Sequence, residues 1–222
     1  LKKAEALGVT DLELDYALGR VLGEKFNQAL EDARKSGDRS FFERRRKEIE
    51  AEFLAPALDY LNKSRRLESV PAKYLDGLID YYKRRYDAAL LNAQFALRQD
   101  PWLYEALELQ GHVHMARALD RKDHGDTEQA EHSFQAAITA YERAAEIGRS
   151  DYRLYEAIAE AWIRQEEMDL FRGVNPEPKF QHALAAADRA LEAAPLESHG
   201  DTKKAFATNF YAQYAMFHDK RK

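Results

Sequence analysis

Apolar residues recur every three or four positions along almost the whole chain, which is the spacing of an amphipathic α-helix. The clearest example is residues 88–102 (AALLNAQFALRQDPW), where Ala89, Ala93 and Ala96 form one stripe of small residues before an Asp-Pro pair. No convincing run alternates apolar and polar residues, as a half-buried strand would. The pattern therefore predicts an all-α protein.

The stripe of small residues returns twice further along the chain, which indicates an internal repeat of helix pairs. The later stripes contain Ala137, Tyr141 and Ala144, and then Ala183, Ala187, Ala190 and Pro195. We expect one domain over residues 1–222, with units at about 11–69, 70–101, 102–149 and 150–195. A helix over residues 202–218 is expected to cap the open end, because the last unit of a stack otherwise exposes its apolar face.

Local signals predict where the helices begin and end. Thr10 with Glu13 and Ser40 with Glu43 form capping boxes, and Pro56 is expected to kink or split the second helix. The first two helices are long and could pair as an antiparallel hairpin. The later helices are predicted over about 71–84, 86–99, 102–121, 128–147, 151–171, 178–193 and 202–217.

Composition narrows the class of protein. With 45% hydrophobic and 33% charged residues, the 222-residue chain has the balance of a globular protein. Its formal charge of −5 gives no reason to expect nucleic acid or an anionic membrane as partner. The absence of Cys excludes disulfides, thiolate metal sites and a Cys nucleophile.

Targeting signals are also missing from the sequence. No run of about 18 apolar residues occurs, so we expect no membrane insertion. The first ten residues, LKKAEALGVT, lack the apolar centre of a signal peptide, and the chain begins without Met. We expect a cytoplasmic fragment of a longer protein.

Residues 70–101 resemble a tetratricopeptide repeat (TPR), a helix–turn–helix unit of about 34 residues. The residues that carry the resemblance are Gly77, Tyr86, Ala89, Ala93, Ala96 and Pro101. Lys73 and Asp80 depart from it, because the family has large apolar residues there. The resemblance implies a right-handed superhelix (α-solenoid), here with elongated helical hairpins, that binds a protein or peptide on the face lined by the first helix of each unit.

The same resemblance implies which residues line this groove. They are Tyr16, Arg20, Tyr74, Leu78, Tyr81, Glu105, Glu108, His112, Arg153, Glu156, Glu160 and Arg164. The set combines aromatic rings with charges of both signs, which suits an extended or helical peptide.

A narrower resemblance concerns residues 16–26 (YALGRVLGEKF), 50–61, 75–90 and 111–126. These stretches look like the TPR region that follows the catalytic domain in some bacterial serine/threonine protein kinases. The resemblance implies a regulatory module of a signalling kinase. Kinase motifs such as HRD and DFG do not occur in the chain, so no catalytic residue can be transferred.

The sequence carries only weak signals for a metal site or a nucleic-acid site. The densest group is His112, His114, Met115, Asp120, Asp123, His124, Asp126, Glu128 and His132. His112 and His114 diverge by about 200° on a helix, and the Asp spacing does not fit an EF-hand. The basic runs at residues 44–47 and 83–85 fit solvated helix faces. We therefore predict no metal, no cofactor and no catalytic residue.

The leading functional hypothesis is a protein–protein interaction module. One alternative is self-assembly as a homodimer, through the first hairpin or through the final helix with its aromatic residues Phe206, Phe210, Tyr211, Tyr214 and Phe217. The other alternative is an enzyme with an unrecognised helical active site near residues 112–128.

Overall fold

A computed structural model describes residues 11–34 and 37–219, and it confirms the all-α class: no strand occurs in those ranges. The α-helices are α1 (Leu12–Arg34), α2 (Arg39–Ile49), α3 (Ala55–Lys63), α4 (Ala72–Tyr82), α5 (Tyr86–Gln99), α6 (Tyr104–Asp123), α7 (Thr127–Ile147), α8 (Tyr152–Arg172), α9 (Glu177–Ala193) and α10 (Gly200–Asp219). From α4 onward, the observed ends lie close to the predicted ones.

The chain divides into two compact units, Leu1–Ala96 and Leu97–Lys222. The boundary falls inside α5, within a stretch that the sequence assigns to a single helix pair. The organisation of the whole chain as one continuous repeat domain stays a prediction, and each unit is described by itself.

In the first unit, α1 pairs with α2 and α3 through two apolar clusters. Near the start of α1 the cluster contains Leu18, Leu22, Ala57 and Tyr60. Near its end the cluster contains Phe26, Leu30, Ala33 and Ile49. Because the numbers rise along α1 as they fall along its partners, the helices are antiparallel, which confirms the predicted hairpin.

Pro56 changes the helix as predicted, but it does not separate the two halves. A π-helical segment, Glu50–Leu54, joins α2 to α3, and the backbone N–H of Ala55 donates to the carbonyl of Glu50. Proline has no N–H and its ring clashes with the preceding turn of an α-helix. The wider π turn accommodates this while the backbone stays right-handed on both sides of it.

The predicted start of α2 is wrong by a small margin. Asp38 is the N-cap, since its side chain accepts hydrogen bonds from the backbone amides of Ser40 and Phe41 at 2.8 and 3.1 Å. Ser40 is therefore already inside the helix and forms no capping box. The other predicted capping residue, Thr10, lies outside the described residues.

Both departures from the repeat pattern in residues 70–101 have a structural partner. Asp80 is buried, accepts a hydrogen bond of 2.9 Å from Nδ2 of Asn92 and pairs with Arg85. The Lys73 ammonium lies 6.0 Å from the centre of the Phe95 ring. A polar contact between α4 and α5 thus replaces the apolar one that the family pattern would provide.

In the second unit, α6 and α8 run parallel to each other. The Tyr104 hydroxyl, at the start of α6, lies 3.4 Å from Oδ2 of Asp151, directly before α8. Lys122, at the end of α6, reaches Glu167 near the end of α8 at 2.5 Å. The two contacts join start to start and end to end.

The helix pairs of this unit meet closely and turn sharply. A Cβ atom on Gly111 of α6 would lie 2.4 Å from Cε1 of Tyr141 on α7, so only glycine fits there. Short turns connect the long helices, and Gly173 ends α8 with φ of 68°, a left-handed conformation that favours glycine. These helix pairs are therefore longer than a TPR unit of about 34 residues because their helices are long and not because their loops are.

Candidate functional site

Four charged residues of α8 form one row along the helix, here named the α8 charge row: Glu156, Glu160, Arg164 and Glu167. Spacings of four, four and three residues place them on the same side of the helix. Three of them are groove positions implied by the TPR resemblance, and Glu167 extends the row by one turn.

Glu160 lies at the centre of the row and has two cationic partners. Its carboxylate is 2.7 Å from Nε of Arg164 and 2.7 Å from Nζ of Lys203 on α10. Burial alone would raise the pKa of Glu160, but the charges of Arg164 and Lys203 outweigh it and hold the pKa below its ordinary value.

The other members of the row also bind neighbouring elements. Lys122 of α6 contacts Glu167 at 2.5 Å, and Arg164 lies 3.8 Å from the same carboxylate. The backbone N–H of His199 donates to Glu156 just before α10 begins. The row thus joins α6, α8 and α10.

Arg153 lies one turn before the row and forms a second polar group at the start of α8. Asp151 accepts hydrogen bonds from the Arg153 guanidinium at 2.8 and 2.6 Å and from its backbone amide at 3.1 Å. Burial would raise the pKa of Asp151, but the hydrogen bonds and charge of Arg153 lower it. Arg153 nevertheless remains exposed to solvent.

His112 is held by the packing of α6 on α7. Its Nδ1 lies 2.8 Å from the Tyr141 hydroxyl, and its Nε2 lies 3.6 Å from the Glu108 carboxylate. Glu108 itself is buried, so its predicted place on an accessible groove is wrong. Glu105, one turn earlier, is half-buried and can contribute to the face.

The predicted groove residues of the first unit are less accessible to a partner. Tyr74 and Leu78 are only 2% and 4% exposed, so both belong to the core of the unit and not to its surface, contrary to prediction. Tyr16, Arg20 and Tyr81 are half-buried. The structure therefore brings together the second-unit positions more completely than the first-unit ones.

Lys122, Glu167, His199 and Lys203 were missed by the sequence reasoning. Glu167 could have been found, because it continues the spacing of the row on a helix that was predicted correctly. The two lysines could not, since their side chains come from other helices and nothing in the linear sequence pairs them with α8.

Another part of α8 carries an unusual buried carboxyl group. Glu166 is completely buried, and neither carboxylate oxygen accepts a hydrogen bond of normal geometry. Burial and, to a smaller extent, the charge of the nearby Asp169 raise its pKa to about 8, and the backbone amide of Tyr211 opposes this shift. Asp169, by contrast, is paired with Lys179 of α9 at 2.8 Å.

Neither a metal centre nor a membrane span is found in the residues that the structure describes. Nowhere in residues 11–34 and 37–219 do three or more potential ligands come close enough to hold a metal ion. His114 has its pKa lowered by burial and by Arg117 and Arg121. Over the same ranges, every helix is too short or too polar to cross a bilayer.

Comparisons with known proteins identify no relative: no protein-family model matches the chain, and no curated protein matches it.

Proposed function

We propose that this chain is a TPR-like helical repeat module that binds a protein or peptide partner across the face lined by α6 and α8. The observation that carries the proposal is the pair of salt bridges Lys122–Glu167 and Glu160–Lys203. The first bridge joins α6 to α8, and the second joins α8 to α10. Neighbouring, parallel first helices are the arrangement that gives a helical-repeat stack its extended binding surface.

The chemistry of the face suits a peptide ligand. Glu105, Arg153 and the α8 charge row offer charges of both signs on helices, so little conformational freedom is lost when a partner docks. Exposed charges at the edge, such as Arg153, would steer and orient the partner. Half-buried residues such as Glu160 would supply the stronger hydrogen bonds.

The finer parts of the assignment stay proposals. They comprise the right-handed superhelical arrangement, a signalling role next to a serine/threonine kinase domain, and a cytoplasmic location. The kinase context rests only on the sequence resemblance. An active site near residues 112–128 has no supporting geometry, because His112 takes part in the α6–α7 packing through Tyr141.

Selection from a random peptide library on the purified protein tests this function. The affinity of each enriched peptide would be measured by titration calorimetry against the wild type, Arg153→Glu and the control Glu142→Lys. Glu142 is exposed on α7, which is not one of the helices that line the proposed face. We expect Arg153→Glu to change the affinity by about tenfold, equivalent to about 1.4 kcal/mol, and Glu142→Lys to leave it unchanged. Equal effects of both variants, or no enriched peptide, would contradict the proposal.

A further inference from the structure

Helix α10 lies along α8 and covers part of the charge row. Three contacts follow one another in step: His199 with Glu156, Lys203 with Glu160, and the Tyr211 backbone amide beside Glu166. Because the numbers rise together on both helices, α10 is parallel to α8. The last helix of the chain therefore occupies the face that we assign to a partner.

The apolar part of this docking is modest. Ala207 of α10 is fully buried, where it packs with Ile163 and Ala183. The Tyr211 ring stacks on Phe180 at 4.6 Å. The larger side chains Phe206, Met216 and Phe217 stay 54%, 62% and 66% exposed. Phe210 packs partly buried against the cluster of Ile163 and Ala183, whereas these three exposed side chains contribute little of the hydrophobic stabilisation that their burial would give.

Glu166 weakens the same contact. Its carboxyl group is buried beneath α10 without a normal hydrogen bond. A buried polar group that lacks a hydrogen bond costs free energy.

We infer that α10 is a built-in occupant of the partner-binding face and that the partner which displaces it is an amphipathic helix with a lysine or arginine in the place of Lys203. The inference rests on the proposed function and names its partner class. The side chains of α10 define the requirement: a cation for Glu160, a small residue one turn later, as at Ala207, and an aromatic residue a further turn on, as at Tyr211.

A synthetic fluorescent peptide with the sequence of residues 199–217 tests the inference. Its binding to the full chain would be measured by fluorescence anisotropy for the wild type, Lys203→Glu and the control Lys204→Glu. Lys203→Glu places like charges at Glu160 and should release the resident helix. Lys204 pairs with Asp188 on α9, at an exposed position where such pairs contribute little.

We expect the peptide to bind Lys203→Glu about tenfold more tightly than it binds the wild type or Lys204→Glu, because the resident helix no longer competes. Hydrogen exchange followed by mass spectrometry should show faster exchange in α10 of Lys203→Glu, with α6 and α7 unchanged. A peptide that itself carries Lys203→Glu should bind weakly to every variant.

Two results would overturn the inference. The first is an α10 that stays protected from exchange in Lys203→Glu. The second is a released α10 without tighter peptide binding, since the face would then not select such a helix. Neither result depends on library peptides that respond to Arg153, so failure here can be told apart from failure of the proposed function.

Discussion

Gly111 of α6 packs directly against the Tyr141 ring of α7, since a Cβ atom on residue 111 would lie 2.4 Å from Cε1 of that ring. The ring cannot move aside easily, because Tyr141 is only 1% exposed and its hydroxyl is hydrogen-bonded to His112. This contact sets the spacing of the helix pair that begins the second unit.

Gly111→Ala is therefore expected to destabilise the protein. Overpacking of a core costs about 1–3 kcal/mol, which exceeds the roughly 1 kcal/mol that alanine gains over glycine in helix propensity. Urea unfolding would measure the loss, with Gln110→Ala on the same helix as the control. A Gly111→Ala variant as stable as the wild type would mean that the two helices are not in such close contact.

Glu166 predicts an unusual pH dependence of stability. Its pKa is about 8 in the folded protein against 4.5 for the ordinary group, so between these values the folded state holds a proton that the unfolded state has lost. The free energy of unfolding should therefore fall as pH rises through this window, by up to about 1.4 kcal/mol per pH unit from this group. Above pH 8 this loss should level off.

Glu166→Gln should remove that dependence and stabilise the fold at neutral pH, because an amide cannot ionise. Urea unfolding at several pH values from 5 to about 8.5 would measure the difference from the wild type. Glu192→Gln, at an exposed position on α9, is the matched control. If the two variants change the pH profile alike, Glu166 is not the group responsible.

The bridge between α6 and α8 should contribute measurably to the stability of the second unit. The side chains of Lys122 and Glu167 are 24% and 17% exposed, so solvent screens them only in part. A double-mutant cycle with Lys122→Met and Glu167→Gln should give a coupling of about 1 kcal/mol. The Lys63–Asp59 pair, exposed by 51% and 61%, is the control and should couple by less than about 0.5 kcal/mol. Equal coupling energies in the two cycles would show that the Lys122–Glu167 bridge stabilises the unit no more than an exposed ion pair does.

Sequence reasoning recovered the helices well, because periodic apolar residues and breakers such as Gly148 and Gly173 are local signals. It also found that Pro56 alters its helix. It misplaced the start of α2, since Ser40 and Asp38 are both good capping residues and the sequence alone does not rank them.

The site was predicted only in part. Positions on α8 such as Glu156 and Glu160 follow from the register of a single helix. The burial of Tyr74, Leu78 and Glu108 depends on how helices pack, and the partners Lys122 and Lys203 lie far away in sequence. The buried Glu166 has no sequence signal, because it differs from its neighbour Glu167 only in the direction that it faces.

Site-specific photo-crosslinking tests the central claim most directly. A photoreactive amino acid would replace Arg153 on the α8 face or, as the control, Glu142 on α7, in the cells that naturally make the protein. Both positions are exposed, so both variants should fold. The account predicts a discrete protein adduct from position 153 and none from position 142. The absence of an adduct at position 153, or the same adduct from both positions, would contradict it.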